Sequence, residues 1–65
     1  MYNIGDTVQF CNLGINPWEG VIAECTGISD EIFTFTQKNG NFGKMQSSDL
    51  PLHTKLLSRF SLENK

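Results

Sequence analysis

Apolar and polar residues alternate along most of this chain with the period of two that a half-buried strand requires. Thr7-Val8-Gln9-Phe10-Cys11 puts Val8 and Phe10 on one face and predicts a first strand. Asn12 to Pro17 is dense in turn formers, and Pro17 biases Asn16 away from helix, so a loop follows. Trp18 to Thr26 is apolar on both alternating faces in its middle and reads as a long second strand, with Gly20 marking a bend or a close backbone approach. After a polar break at residues 27–31, Ile32-Phe33-Thr34-Phe35-Thr36 contains only β-branched and aromatic residues, with Phe33 and Phe35 sharing a face. Asn39-Gly40 is the pair favoured at the centre of a type I′ hairpin turn, so Phe42 to Gln46 should return antiparallel, with Met45 inward and Phe42 on the opposite face. Ser47 to Pro51 reads as a 3₁₀-like turn whose hydroxyls and carboxylate can satisfy freed backbone amides.

Residues 52–65 fit two descriptions. Leu52, Leu56 and Phe60 recur at helical spacing, with Leu57 beside them and Asp49 as a cap, which describes a closing helix. Thr54 to Ser58 alternatively supplies a fifth strand that pairs with the first. We adopt the strand, because four strands with open edges are completed by a fifth that shuts a barrel. The expected fold class is therefore all-β, a single domain over residues 1–65: a five-stranded SH3-like barrel with a 3₁₀ turn before the last strand.

The motifs Gly5-Asp6-Thr7-Val8 and Trp18-Glu19-Gly20-Val21-Ile22, followed by strand, Asn-Gly, strand and turn, give residues 4–58 the strand order of an SH3-like barrel. Within that group the chain resembles the plasmid-borne type II dihydrofolate reductases, which carry a similar Gly-Asp-x-Val followed by Trp-x-Gly-x-Ile. The resemblance implies association around a central pore and a mobile-element or phage setting. That family lines its pore with Val-Gln-Ile-Tyr on the fourth strand. The matching stretch here is Lys44-Met45-Gln46-Ser47, in which Gln46 is the echo. A reductase relative is accordingly kept as a minor alternative.

At 65 residues the chain is one small domain with a modest core, and its net charge of -2 comes from 5 basic and 7 acidic residues. No run of about 18 apolar residues predicts a membrane span, and no charged-then-apolar leader opens the chain. A cytoplasmic location is expected, with Cys11 and Cys25 reduced. In a hairpin with Cys11 opposite roughly Trp18, Cys25 lies about 20 Å further along, beyond the reach of a disulfide. One histidine and two cysteines without short paired spacing give no metal site. No cofactor is expected: the glycines of residues 39–43 lie in a hairpin with no following helix.

Catalysis is not expected. His53 is the only histidine and reads as an edge residue, while Asp6, Glu19, Glu24, Asp30, Glu31, Asp49 and Glu63 read as scattered, solvated charge. Binding fits better. Val21, Ala23 and Cys25 on one face of the second strand, with Trp18 and Ile22 on the other, are more apolar side chains than one small core accepts, and such a surplus marks an interface. Trp18, Ile22, Phe42 and Lys44 are the candidate partner-binding residues, for another protein or for a second copy in a homo-oligomer. The alternative is single-stranded nucleic acid, with Trp18 and Phe42 stacking on bases and Lys38, Lys44, Lys55 and Arg59 converging on one side. The acidic balance weighs against it.

Overall fold

A computed structural model of the chain describes residues 2–60. Five antiparallel strands form one sheet: β1 (Thr7–Phe10), β2 (Ile22–Ser29), β3 (Ile32–Thr36), β4 (Phe42–Gln46) and β5 (Thr54–Ser58), in the order β4-β3-β2-β1-β5. A 3₁₀ turn over Ser47–Asp49 and one helical turn, α1 (Leu50–His53), connect β4 to β5. The last segment is thus the strand expected from chain completion, and it lies on β1 with Phe10 opposite Thr54 and Val8 opposite Leu56. Among the described residues no ladder joins β4 to β5, so the sheet has two edges.

Alternation sorts the side chains as the pattern predicts. Val8, Phe10, Ala23, Cys25, Phe33 and Phe35 point to one face and are buried, and Leu50 of α1 closes over them. Pro51 is accommodated in the first turn of α1, where its missing N–H costs nothing. The turn hydroxyls and Asp49 make no side-chain cap bond to either helical start. The Thr54 hydroxyl donates to the Leu50 carbonyl at 2.6 Å instead, and Tyr2 Oη lies 2.8 Å from the same hydroxyl.

Three connections differ from expectation. The second strand begins at Ile22, because Trp18 to Gly20 belong to a turn: Asn16 Oδ1 accepts the Trp18 N–H at 2.7 Å, and the Val21 N–H donates to the Trp18 carbonyl at 3.0 Å. Local hydrogen bonds therefore outweighed strand propensity there. The strand instead runs on to Ser29, paired with Ile32 across a two-residue turn in which Asp30 adopts φ 54°. A register shift between Cys25 and Gly27 leaves Thr26 as a bulge, which bends this long strand.

The β3–β4 hairpin closes with a three-residue loop, Lys38-Asn39-Gly40. The Gly40 N–H donates to the Gln37 carbonyl, the Gln37 N–H to the Asn41 carbonyl, and only Gly40 of the central residues has positive φ, at 95°. This is a turn with a glycine bulge rather than the type I′ turn, and it spares Asn39 the left-handed conformation.

Candidate functional site

The β1–β2 loop delivers Trp18 to the open side of the core. Its indole packs edge-on against Phe10 with ring centroids 5.2 Å apart, Phe10 meets Phe35 at 5.3 Å, and Tyr2 meets Phe35 at 6.3 Å. Four rings thus form one edge-to-face chain from the loop through the core, each pair contributing about 0.5–1.5 kcal/mol beyond burial. On the other side the indole lies over Gly43 of β4, where an added Cβ would sit 3.2 Å from Trp18 Cζ2. Gly43 is a strand glycine that exists to be approached. Trp18 therefore bridges the β1 side of the core to β4. It does not share a strand face with Ile22, as the sequence pattern had placed it, because it lies in the turn.

The loop around Trp18 is tied down. The Leu13 N–H donates to Glu19 Oε1 at 2.7 Å and Asn12 Nδ2 to the Leu52 carbonyl at 3.1 Å, while Ile15 at the tip is fully exposed. Between loop and strand runs a groove of about 170 Å³, lined by Phe10, Leu13, Asn16, Trp18, Gly43, Lys44 and Met45. Two of the four candidate residues, Trp18 and Lys44, meet there.

Ile22 and Phe42 lie elsewhere, on the outward face of the sheet. Ile22 is 55% exposed and Phe42 64%, each in ladder positions whose neighbours are polar: Ile22 opposes Gln9, and Phe42 opposes Thr36, itself opposite Glu24. Ile22 borders a second groove of about 560 Å³ with Glu24, Thr36 and Lys38. Met45 points inward against the core, opposite in sense to Phe42. Of the basic residues, Lys44 and Lys55 occupy opposite edge strands, Lys38 lines the second groove with Glu24, and Arg59 Nη1 is 3.7 Å from Asp6 Oδ2.

Asp6 corrects the reading of scattered, solvated carboxylates. It is buried, its Oδ2 accepts the Asn3 N–H and its Oδ1 the Phe60 N–H, both at 2.9 Å. These backbone bonds, from Asn3 first and then Phe60, hold its carboxyl below the usual carboxylate range, with Arg59 adding to the effect against the opposing cost of burial. One side chain thereby ties the leading segment to the segment after β5. The signal available in the sequence was Asp6 directly before an apolar strand, a position where a short acceptor satisfies loose amides. Glu63 lies outside the described residues.

His53 Nδ1 donates to the Cys11 carbonyl at 3.3 Å, with the Cys11 N–H returning a bond to the His53 carbonyl, so the imidazole is engaged with backbone at the end of β1. Cys11 and Cys25 are both free thiols, and burial pushes the Cys25 thiol up from its ordinary value. Phe10 is bonded to Val21 and Gly20, which sets Cys11 opposite about Gly20 rather than Trp18. Among the described residues no three His, Cys, Asp or Glu side chains converge, and no helix is long and apolar enough to cross a membrane. Compared with known proteins, the chain matches no family model, and neither the curated proteins nor the solved structures give a significant match.

Proposed function

We propose that this chain is a non-catalytic binding module, an SH3-like barrel in its finer fold, that engages protein through Trp18, Ile22, Phe42 and Lys44. The partner is another chain or a second copy of itself. The observation that carries this reading is the placement of large apolar side chains outside a core that is already complete. Ile22 and Phe42 stand exposed on the outward face with polar cross-strand neighbours, Gln9 and Thr36, and an apolar groove opens beside Trp18. Neither feature is needed to bury the inward face, and exposed apolar surface with a polar surround is the usual mark of an interaction site.

The strand order with β5 on β1, and Trp18 spanning from Phe10 to Gly43, supports the curled, barrel-like reading of the sheet. The test is light scattering across dilution together with affinity capture, using wild type, Ile22→Ser and Phe42→Ser. Both substitutions are outward and leave the core intact. Expected is either a concentration-dependent mass or a captured chain that, once purified, binds both variants at least about tenfold more weakly. A strictly monomeric protein whose captured chains bind the variants as well as wild type refutes the proposal.

A second reading rests on one feature, the meeting of an aromatic face and a cation where Trp18 and Lys44 share a groove. That pair suits a stacked base and its phosphate in single-stranded nucleic acid. Such binding would weaken steeply with salt, and a flat salt response eliminates it.

A further inference from the structure

The free edge of the sheet has a defined hydrogen-bonding pattern. The Gln37 N–H donates to the Asn41 carbonyl and the Ser47 N–H to the Glu31 carbonyl, both at 2.7 Å and both in the register that sets Phe35 opposite Gly43 and Phe33 opposite Met45. Hydrogen-bonded and non-hydrogen-bonded pairs alternate along an antiparallel ladder, so Gly43 and Met45 direct their backbone groups to β3. Phe42, Lys44 and Gln46 direct theirs away from it. No strand lies on that side: the Gln46 carbonyl, as N-cap of the Ser47–Asp49 turn, serves that turn, and the three N–H and other two C=O groups of these residues have no cross-strand partner among the described residues.

The other edge offers less. The same parity, set by the Cys11 to His53 bond, directs the backbone groups of Thr54 and Leu56 away from β1, toward the open edge of β5. The Thr54 N–H is already given to the Leu50 carbonyl, and a register shift interrupts the strand beside Leu57. The β4 edge is unbulged, free of proline and three free residues long, the form of edge that accepts another strand.

The Trp18 groove runs along that edge. Lys44 alternates to the outward face, yet it lines the groove together with the inward-facing Gly43 and Met45, so the groove crosses the β4 backbone itself. Lys44 has no carboxylate within ion-pair distance among the described residues. Self-pairing of β4 is disfavoured, because the twofold register that satisfies all three free residues places Lys44 opposite Lys44 of the other copy.

We infer that β4 takes up an extended segment of another protein as a sixth, antiparallel strand. An acidic side chain of that segment lies opposite Lys44, and the apolar side chains flanking it enter the groove of Leu13, Trp18 and Met45. Main-chain bonds to Phe42, Lys44 and Gln46 supply affinity, and the alternating side chains supply selectivity. The inference rests on the protein-binding reading above and specifies the chemistry of its partner.

The test is an NMR titration of the full chain with the capped peptide acetyl-Thr-Val-Glu-Val-Thr-amide, its Lys-centred counterpart, and the Glu-centred peptide N-methylated at Glu. The Glu-centred peptide should shift the amides of Phe42, Lys44 and Gln46 and the Trp18 indole. The Lys-centred peptide should bind about three- to tenfold more weakly. N-methylation should abolish binding, and Lys44→Glu, an exposed change, should reverse the Glu-over-Lys preference. If the indole moves but N-methylation leaves affinity unchanged, strand addition is wrong while the groove as a protein site stands. If the β4 amides shift with protein concentration and no peptide, the edge takes a second copy and the inferred partner is wrong. If no peptide moves either signal, strand addition falls, whereas the protein-binding reading falls only on its own mass and capture results.

Discussion

Replacing Asp6 by Asn tests whether one carboxylate holds the two ends of the described chain together. The side chains are nearly isosteric, but Asp6 accepts two backbone N–H groups, one on each oxygen, and an amide has a single acceptor oxygen. One of the Asn3 and Phe60 N–H groups must then face an NH₂. Hydrogen bonds to a charged group are worth about 1.5–3 kcal/mol each, so losing one and weakening the other should cost about 2–3 kcal/mol. A domain of this length has about 3–10 kcal/mol in all, and each kcal/mol moves the midpoint by about 4–8 °C, so Tm at neutral pH should fall by about 10–20 °C.

The pH dependence gives a second, independent check. Because the folded-state pKa of Asp6 is depressed, the unfolded chain binds the proton more readily, and the contribution of the carboxylate is complete above the ordinary value of about 4. It is lost as pH falls through the folded-state pKa. Below that point wild-type Asp6 is itself a neutral acid with one donor, so wild type and Asp6→Asn should converge. Thermal unfolding by circular dichroism, from pH 7 down to about pH 2, measures both effects. A neutral-pH difference under about 3 °C, or a difference that persists unchanged in acid, would refute the account. Arg59→Gln serves as the control: its guanidinium is 60% exposed and 3.7 Å from the carboxylate, so its removal should cost no more than about 1 kcal/mol.

Gly43→Ala should displace the indole, since its Cβ would lie 3.2 Å from Trp18. The expected outcome is a shifted tryptophan emission with about 1–2 kcal/mol lost in urea unfolding, and unchanged emission would contradict the bridging role of Trp18. Thr54→Val keeps the shape of a buried side chain while removing its bonds to the Leu50 carbonyl and to Tyr2 Oη, and should cost about 1–3 kcal/mol. A neutral result in the same unfolding assay would show that neither bond matters.

Local pattern alone was enough for β1, β3 and β4, because each is a short alternating run whose buried members share one face: Val8 with Phe10, Phe33 with Phe35, Met45 opposite to Phe42. Phe42 and Ile22 were legible as outward residues for the same reason. Where two local descriptions were open, at residues 54–58, the free edge of β1 decided for a strand, since a helix would satisfy only its own backbone groups and leave the β1 edge unpaired. What only the tertiary structure decided are the contacts between residues distant in the chain. Trp18 reads as strand from its apolar neighbours, yet Asn16 turns the chain ahead of it and the gap at Gly43 receives it. Asp6 reads as surface charge until Asn3 and Phe60, 54 residues from it on the far side, bring their amides to its oxygens. Alternation reports which way a side chain points relative to its own strand, and it carries no record of which distant group will be waiting there.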